Sequence, residues 1–354
     1  MRAVRYHGPR DIRLEEIPPP EAGPDSVLVK PAFTGICGSD LHLYQDGANG
    51  LAPSWDVAHP LSGETLPVVL GHEFSGTVVR IGEEVDDLRV GESVVVEPVM
   101  VDGTCGACRR GHYNLCAQLG FRGISGKGGG LSELVAVPRH WVHRVGDLPL
   151  DEAALIEPLA VAVHAVRHAG ARAGQTAVIA GAGPIGLLVA AVLRASDVTT
   201  IVSEPSNRRR AMAVATGAAD HVIDPRGSDL FTFVETATGG LGADIAFDAA
   251  GAGAVISDLF EVLGAGGHLE VVALHTEPYP LQIAAQLMRH DRTMGSSLGY
   301  ADDFPTAIEL ARSGQVRLGD FITSRIAAER IVEDGFERLL NDRDSEVKIL
   351  VHLS

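Results

Sequence analysis

Residues 35–42 (GICGSDLH) hold four side chains able to do chemistry within eight positions. They are a thiol, a hydroxyl, a carboxylate and an imidazole: Cys37, Ser39, Asp40 and His42. Cys37 is far in sequence from the other cysteines, and a lone cysteine is by itself most often a small buried side chain. Residues 71–73 (GHE) and 157–158 (EP) add further ligand types downstream. We therefore expect these segments to converge on one metal site.

The residue types favour a catalytic zinc. Such a site has about three protein ligands and one open position, and Cys37, His72 and one carboxylate supply that set. Glu73 and Glu157 are both candidates, since one can bind the ion while the other exchanges with water or orients a ligand. Glu157 follows the apolar residues 153–156, where a carboxylate needs a counter-charge that zinc would provide. The alternatives are a structural histidine and a helix-end charge.

A second cluster has the spacing of a four-ligand structural zinc lobe. Its members are Asp102, Cys105, Cys108 and Cys116. An aspartate oxygen is an acceptable zinc ligand, but closed structural sites are usually thiolate-rich. A zinc site of one aspartate and three cysteines is expected, with a lobe of free thiols as the alternative.

Length and charge limit the kind of protein. A chain of 354 residues predicts two domains of ordinary size. A net charge of −17 argues against nucleic acid and anionic membranes as partners and favours a small-molecule substrate. The sequence has no apolar run of signal-peptide or membrane-helix length. Four cysteines, three of them clustered, indicate metal binding in a reducing cytoplasm.

The hydrophobic pattern of the sequence changes near residue 150. Before it, short alternating runs bounded by Gly and Pro predict a β-rich domain. After it, a helical pattern runs to about 168, and strands and helices then alternate, which predicts a parallel, doubly wound sheet. A further helix is predicted at 328–340. The last strand, 346–351, lies outside the alternation of strands and helices and is expected to return to the first domain.

A dinucleotide-binding turn is predicted at residues 181–186. This segment (GAGPIG) fits G-x-G-x-x-G, directly after an apolar strand and at the start of a helix. Its glycines permit a tight turn, approach of the pyrophosphate and close packing of helix on strand. The predicted cofactor-binding residues of the turn are Gly181, Gly183, Pro184, Ile185 and Gly186.

Glu204 ends the second strand of this region. A carboxylate there would hold the ribose hydroxyls and repel a 2′-phosphate, which favours NAD. Residues 208–210 are three arginines, and an arginine such as Arg209 can hold a phosphate. The alternative for them is the solvated first turn of a helix. We expect NAD(H), with Glu204 and Arg209 among the cofactor contacts.

Together these residues resemble the zinc-dependent medium-chain dehydrogenase/reductase family over nearly the whole chain. The segments that carry the resemblance are 35–42, 71–76, the cysteine lobe, 157–158 and 181–186. Within the family the chain is most similar to the 2,3-butanediol dehydrogenases. That likeness is carried by residues 59–65 (HPLSGET), 113–115, 128–130, 333–336 and 347–351. Asp102 is the one clear departure from the family pattern.

The resemblance implies an α/β protein of two domains. A GroES-like catalytic domain would span residues 1–150 and be completed by 292–354. A Rossmann NAD-binding domain would span 151–291, with the active site in the cleft. The resemblance also implies a homodimer or homotetramer.

The implied reaction is reversible oxidation of a secondary alcohol or vicinal diol, such as 2,3-butanediol, to a ketone. By the resemblance, Ser39 takes the substrate proton and the cofactor ribose passes it on. His42 is a candidate exit for that proton, because an imidazole pKa of about 6.5 suits a relay. Threonine, sorbitol or polyol dehydrogenases, a zinc-free reductase and a non-catalytic NAD-binding regulator are the alternatives.

Overall fold

A computed structural model describes residues 1–47 and 50–353 and divides the chain into two compact units. Unit 1 comprises Met1–Glu157 and Phe321–Ser354, and unit 2 comprises Pro158–Asp320. The domain limits expected from the sequence are 150/151 and 291/292. The second limit lies further along the chain because Thr293–Ser296 is a strand of the unit 2 sheet.

The strands are numbered in chain order. They are β1 (Arg2–Gly8), β2 (Asp11–Glu16), β3 (Ser26–Gly35), β4 (Val68–Val69), β5 (Glu73–Ile81), β6 (Ser93–Val96), β7 (Val99–Met100), β8 (Gly120–Phe121), β9 (Val135–Pro138), β10 (Val142–Arg144), β11 (Thr176–Ala180), β12 (Thr199–Ser203), β13 (His221–Ile223), β14 (Ala243–Asp248), β15 (Leu263–Val271), β16 (Thr293–Ser296), β17 (Ile322–Ala327) and β18 (Lys348–His352).

The α-helices are α1 (Gly38–Asp46), α2 (Leu150–Ala153), α3 (Ile156–His168), α4 (Pro184–Ala195), α5 (Asn207–Ala215), α6 (Leu230–Ala237), α7 (Gly253–Val262), α8 (Phe304–Arg312) and α9 (Glu337–Asn341). Short 3₁₀ turns lie at Cys108–Arg110, Tyr113–Leu115, Arg139–Trp141, Met288–His290, Leu318–Phe321, Ala328–Arg330 and Arg343–Ser345. Two π-helical segments lie at Ile283–Leu287 and Ile331–Phe336. Within the described residues no helix is long and apolar enough to cross a membrane.

Unit 1 is built around a sheet with the strand order β10-β6-β5-β3-β18-β17, with β9 also pairing β3. The antiparallel pairing of β3 with β5 places Gly35 opposite Glu73. On its other edge β3 pairs with β18, and Gly35 lies opposite Leu350. The expectation that the closing strand returns to the first domain is therefore confirmed. Three distant segments of sequence meet at Gly35.

Unit 2 is a six-stranded parallel sheet with the order β13-β12-β11-β14-β15-β16. Its strands are buried by helices such as α4, in which eight consecutive residues, 186–193, are buried. This agrees with the continuous apolar runs of the sequence, because strands covered on both faces lose the alternation of polar and apolar residues. The predicted doubly wound parallel sheet is confirmed.

Two predicted helices differ from those observed. The pattern from 151 to 168 is split into α2 and α3. Pro158 lacks an N–H and is tolerated only in the first turn, so the helix restarts at Ile156. The helical pattern from 328 to 340 forms a 3₁₀ turn, a π segment and the short α9. Gly335 interrupts it, and a Cβ there would lie 2.7 Å from Ile36 Cδ1.

Asp303, at the start of α8, joins that helix to α3 within unit 2. Its carboxylate accepts hydrogen bonds from His164 Nδ1 at 2.8 Å and from Arg167 Nε at 2.9 Å, and from the N–H of Ala301 at 2.9 Å. Burial alone would raise the pKa of Asp303, but the hydrogen bonds from His164 and Arg167 hold it below its usual value. The contact fixes the end of unit 2 onto its first helix.

We predict that Asp303→Ala lowers the free energy of unfolding by about 2 kcal/mol, because it leaves the buried His164 ring and the N–H of Ala301 without their acceptor. Chemical denaturation monitored by circular dichroism measures the change. Glu309→Ala, an exposed acid of the same helix, is the matched control and should change the free energy by less than about 0.5 kcal/mol. Equal effects of the two substitutions would contradict the structural role of Asp303.

Candidate metal and cofactor sites

Cys37 lies between the end of β3 and the start of α1, as the N-cap of that helix. Its backbone N–H donates to Asp40 Oδ2 at 3.0 Å, which fixes the turn that presents the thiol. His72 directly precedes β5, and β5 pairs with β3. The sheet therefore brings the thiol and the imidazole together.

His72 is almost completely buried, and its two ring nitrogens face different groups. Nε2 lies 3.3 Å from Ser39 Oγ, and Nδ1 lies 3.5 Å from Asp40 Oδ1. Burial opposes a charged ring, but the Asp40 carboxylate and Cys37 raise the pKa of His72 well above its ordinary value. A carboxylate behind one nitrogen is the usual arrangement of a metal-binding histidine, because it orients the ring and its free nitrogen. Asp40 therefore supports the ring as well as the loop.

Glu73 forms an ion pair with Lys348 in the interior of unit 1. Lys348 Nζ lies 2.8 Å from Glu73 Oε1 and 2.6 Å from Oε2, and donates a third bond to Ile36 O at 3.3 Å. Both side chains are 3% exposed or less. A Cβ at Gly35 would overlap Glu73 Oε2, so the glycine leaves room for the carboxylate.

Other acidic groups of this region also interact electrostatically with Lys348. Burial alone would lower the pKa of Lys348, but Glu73, Cys37 and Glu157 raise it. Sequence reasoning missed this lysine. The signal was present as the single cation within the otherwise apolar run 347–351.

Ligand atoms of Cys37, His72 and Glu73 all lie within 4.8 Å of one another. A thiolate, an imidazole and a carboxylate are the donor types that zinc prefers, so these residues fit the ion. Glu157, near the start of α3, is buried but lies outside this three-residue group. The imidazole of His42 is about half-exposed, with Nδ1 3.7 Å from Asp46 Oδ2.

The four residues of the predicted lobe, Asp102, Cys105, Cys108 and Cys116, also come together, with one ligand atom of each within 4.8 Å of the others. Asp102 Oδ1 accepts hydrogen bonds from the N–H groups of Cys105 and Thr104, both at 2.7 Å, and these bonds lower the pKa of Asp102 to about 2. Cys116 Sγ accepts from the N–H of Asp102 at 3.3 Å. One oxygen and three sulfurs fit a tetrahedral zinc ion.

The glycine turn of unit 2 joins β11 to α4. Gly181 has a φ of +99°, which favours glycine, and Gly183 is the N-cap of the helix with Pro184 at its first position. A Cβ at Gly186 would overlap the carbonyl oxygen of Gly181. At Gly183, by contrast, a Cβ would meet no atom within 4 Å, which leaves open space for a pyrophosphate at the helix N-terminus. Ile185 follows in the first turn of α4 and is half-buried.

Glu204 follows β12 and is held beside that turn. Its Oε2 accepts the N–H of Ala182 at 2.8 Å and its Oε1 accepts the N–H of Ser206 at 2.7 Å. The carboxylate is therefore fixed by two backbone donors next to the turn. Arg209 lies in the first turn of α5, where its N–H donates to Ser206 Oγ at 3.4 Å. The guanidinium of Arg210 is bonded to the carbonyls of Glu204 and Pro205.

Comparison with known proteins identifies the family. Residues 23–147 match the alcohol dehydrogenase GroES-like domain, and residues 184–313 match the zinc-binding dehydrogenase domain. The chain is 41% identical over 353 residues to the (R,R)-butanediol dehydrogenase of Neisseria gonorrhoeae (strain ATCC 700825 / FA 1090), with 99% of both chains covered. It is 39% identical over 357 residues to the (R,R)-butanediol dehydrogenase of Bacillus subtilis (strain 168), again covering 99% of each.

Solved structures agree with this assignment. The crystal structure of 2R,3R-butanediol dehydrogenase from Bacillus subtilis superposes with a TM-score of 0.93 at 37% identity, covering 100% of this chain and 99% of that one. A zinc-binding dehydrogenase from Sinorhizobium meliloti 1021, bound to NADP, superposes with a TM-score of 0.87 at 30% identity, covering 99% and 98%. The chain belongs to the zinc-dependent medium-chain dehydrogenase/reductase family of alcohol dehydrogenases.

Proposed function

We propose that this enzyme interconverts 2,3-butanediol and acetoin with NAD(H) and a catalytic zinc. The observation that carries the proposal is the buried group of Cys37, His72 and Glu73 in a chain that matches butanediol dehydrogenases over its full length. Relatives at lower identity include a sorbitol dehydrogenase, so polyols are the substrates to compare.

In this proposal Cys37 and His72 hold the ion, and a glutamate completes the set. Lys348 donates to both oxygens of Glu73, so Glu73 would have to release Lys348 before it could bind the zinc ion directly. Glu157 is the second candidate, and its charge also acts on Lys348. The chemistry supplied by bound zinc and NAD is polarisation of the substrate oxygen and acceptance of hydride.

Proton transfer and the orientation of the histidine ring are assigned to side chains of the protein. Ser39 Oγ lies beside His72 Nε2, the proposed ligand atom, and is placed to accept a proton from a substrate hydroxyl bound there. Asp40 holds the ring of His72. The half-exposed His42 offers a nitrogen from which the proton leaves to solvent.

For the cofactor we propose NAD in preference to NADP. Glu204 is fixed by two backbone N–H groups, so it cannot easily turn away from a 2′-phosphate. The zinc of the lobe, held by Asp102, Cys105, Cys108 and Cys116, is proposed to be structural. A homodimer or homotetramer and a cytoplasmic location are proposed from the family resemblance.

We predict that Cys37→Ala loses the zinc of one site and at least about 1,000-fold in turnover, because the ion supplies the main polarisation of the substrate. Asp102→Ala should lose only the zinc of the lobe and keep the turnover of the folded protein. The measurements are zinc content by mass spectrometry and NADH formation from (2R,3R)-2,3-butanediol, with sorbitol and L-threonine as rival substrates.

Each of these variants is the control for the other. Full activity of Cys37→Ala would refute zinc catalysis, and higher kcat/KM for sorbitol or threonine would refute the butanediol assignment. Absence of turnover by wild type on all three substrates would favour a non-catalytic protein. The zinc content of Glu73→Gln and of Glu157→Gln identifies the carboxylate that binds the ion. The variant that loses the catalytic zinc is the one that lacks the direct ligand.

We predict that Lys348→Met lowers kcat about 10- to 100-fold, which is the usual cost of losing a group that orients a metal ligand. The substitution also leaves Glu73 buried without its counter-charge and should destabilise unit 1. The double variant Lys348→Met/Glu73→Gln should regain stability but not activity. A structural role alone would instead return activity together with stability, measured by denaturation and by kcat and KM.

We predict that Glu204→Ala shifts the ratio of kcat/KM for NAD to that for NADP at least about tenfold towards NADP, because an acid at this position repels the 2′-phosphate. Steady-state kinetics with both cofactors measure the shift. Glu309→Ala, an exposed acid elsewhere in unit 2, should leave the ratio unchanged. An unchanged ratio in Glu204→Ala would mean that the carboxylate only supports the turn.

A further inference from the structure

Unit 1 contains a cavity of about 420 Å³ lined by none of the proposed zinc ligands. Its walls come from the start of β1, the segment after β2, the start of β9 and the turn that follows β8. The charged residues in the wall are Arg5, Glu21, Glu64, Arg122 and Lys127.

Arg122 is the unusual member of this wall. It is only 7% exposed, and its Nε and Nη1 atoms are buried without a hydrogen-bond partner among the described residues. Burial lowers the pKa of Arg122 to about 10, and Glu64 opposes that change. A guanidinium remains charged at neutral pH, and a buried charge without partners is costly. Within the described residues, therefore, Nε and Nη1 of Arg122 have no hydrogen-bonded counter-ion.

Glu64 is the acid of the wall whose charge acts on Arg122. Its Oε1 also accepts the N–H of Lys127 at 3.0 Å. The loop around Glu64 is itself anchored, since Ser62 Oγ donates to the carbonyl of Ser125 at 2.6 Å. One carboxylate oxygen is therefore bonded to the turn at 125–127 rather than to the guanidinium.

The other charges of the wall do not neutralise Arg122 either. Arg5 adds a positive charge and is already bonded to Glu15 at 3.2 Å and to the carbonyl of Pro67 at 2.6 Å. Lys127 adds another, and Glu21 is exposed. Burial and then the positive charge of Arg122 lower the pKa of the nearby His140. The wall itself carries three cationic side chains against two carboxylates.

We propose that this cavity binds a small oxyanion, a carboxylate or phosphate group that forms an ion pair with the guanidinium of Arg122. Charge-assisted contacts of this kind are stronger than neutral ones, and the anion would balance the positive charge of the wall. The volume holds a small metabolite rather than a single ion alone. The proposal does not depend on the zinc site or on the substrate of the enzyme.

The test is thermal unfolding of the zinc-loaded enzyme in the presence of inorganic phosphate or succinate, with potassium chloride at equal ionic strength as the baseline. The wild type should show a saturable rise in Tm of about 2 °C when the anion concentration is about ten times the dissociation constant of the anion. Arg122→Gln should lose that rise. Arg80→Gln, which removes an exposed arginine of the same unit, should keep it.

The two anions separate the possible ligands. A rise with phosphate alone assigns a phosphate group, and a rise with succinate alone assigns a carboxylate. Phosphate bound at the helix N-terminus of unit 2 would act equally on wild type and variant, so the difference between them isolates Arg122. Without either anion, Arg122→Gln should unfold at the same or a higher temperature than wild type, because it removes an unpaired buried charge.

An equal response of wild type and Arg122→Gln to both anions would overturn the proposal. If Arg122→Gln fails to fold, wild-type crystals grown without phosphate and soaked in sodium selenate give a second test. Anomalous density beside the Arg122 guanidinium supports the site, and its absence refutes it.

Discussion

The ion pair between Lys348 and Glu73 connects the last strand of the chain to the proposed zinc site. Lys348 begins β18, and Glu73 begins β5, on opposite sides of β3. An amine and a carboxylate this deeply buried are stable only as a pair. The site therefore depends on the correct addition of β18 to the sheet after the whole of unit 2 has been synthesised. The same pair places a positive charge beside Cys37 and Glu157, which limits the repulsion among the acidic groups.

The two candidate sites use their carboxylates in opposite ways. Glu73 is bound by a side-chain cation, whereas Glu204 is bound by two backbone N–H groups, that of Ala182 in the glycine turn and that of Ser206. When a carboxylate is paired with a cation, the net charge that acts on a nearby ligand is small. An acid held by neutral donors keeps its charge, and can therefore repel a phosphate that approaches it. Lys348 therefore lowers the charge that Glu73 offers to a metal ion, whereas Glu204 keeps the charge that its proposed selective role requires.

The sequence predicted what local spacing controls. The four residues of the lobe come together and the glycine turn joins β11 to α4, as their spacing predicts, and the alternation of strands and helices predicted the parallel sheet. Cys37 and His72 meet instead through the pairing of β3 with β5. Lys348 was missed because its contact with Glu73 joins residues 275 positions apart, and a lysine in a terminal strand is ordinarily exposed. The boundary of unit 2 near Asp320 depends on strand pairing rather than on local pattern. The break before Ile156 follows from Pro158, a local signal that the helical pattern of 151–168 did not take into account.

Asp102 illustrates how a departure from a family pattern can be compensated. Its Oδ1 accepts two backbone N–H groups, and its own N–H donates to Cys116 Sγ. A thiolate at this position would be a weaker acceptor for those peptide donors. The carboxylate thus organises the turn through one oxygen and leaves the other free for an ion. The shape of the lobe is therefore specified in part by hydrogen bonds of the protein itself, so a metal would find its ligands already close together.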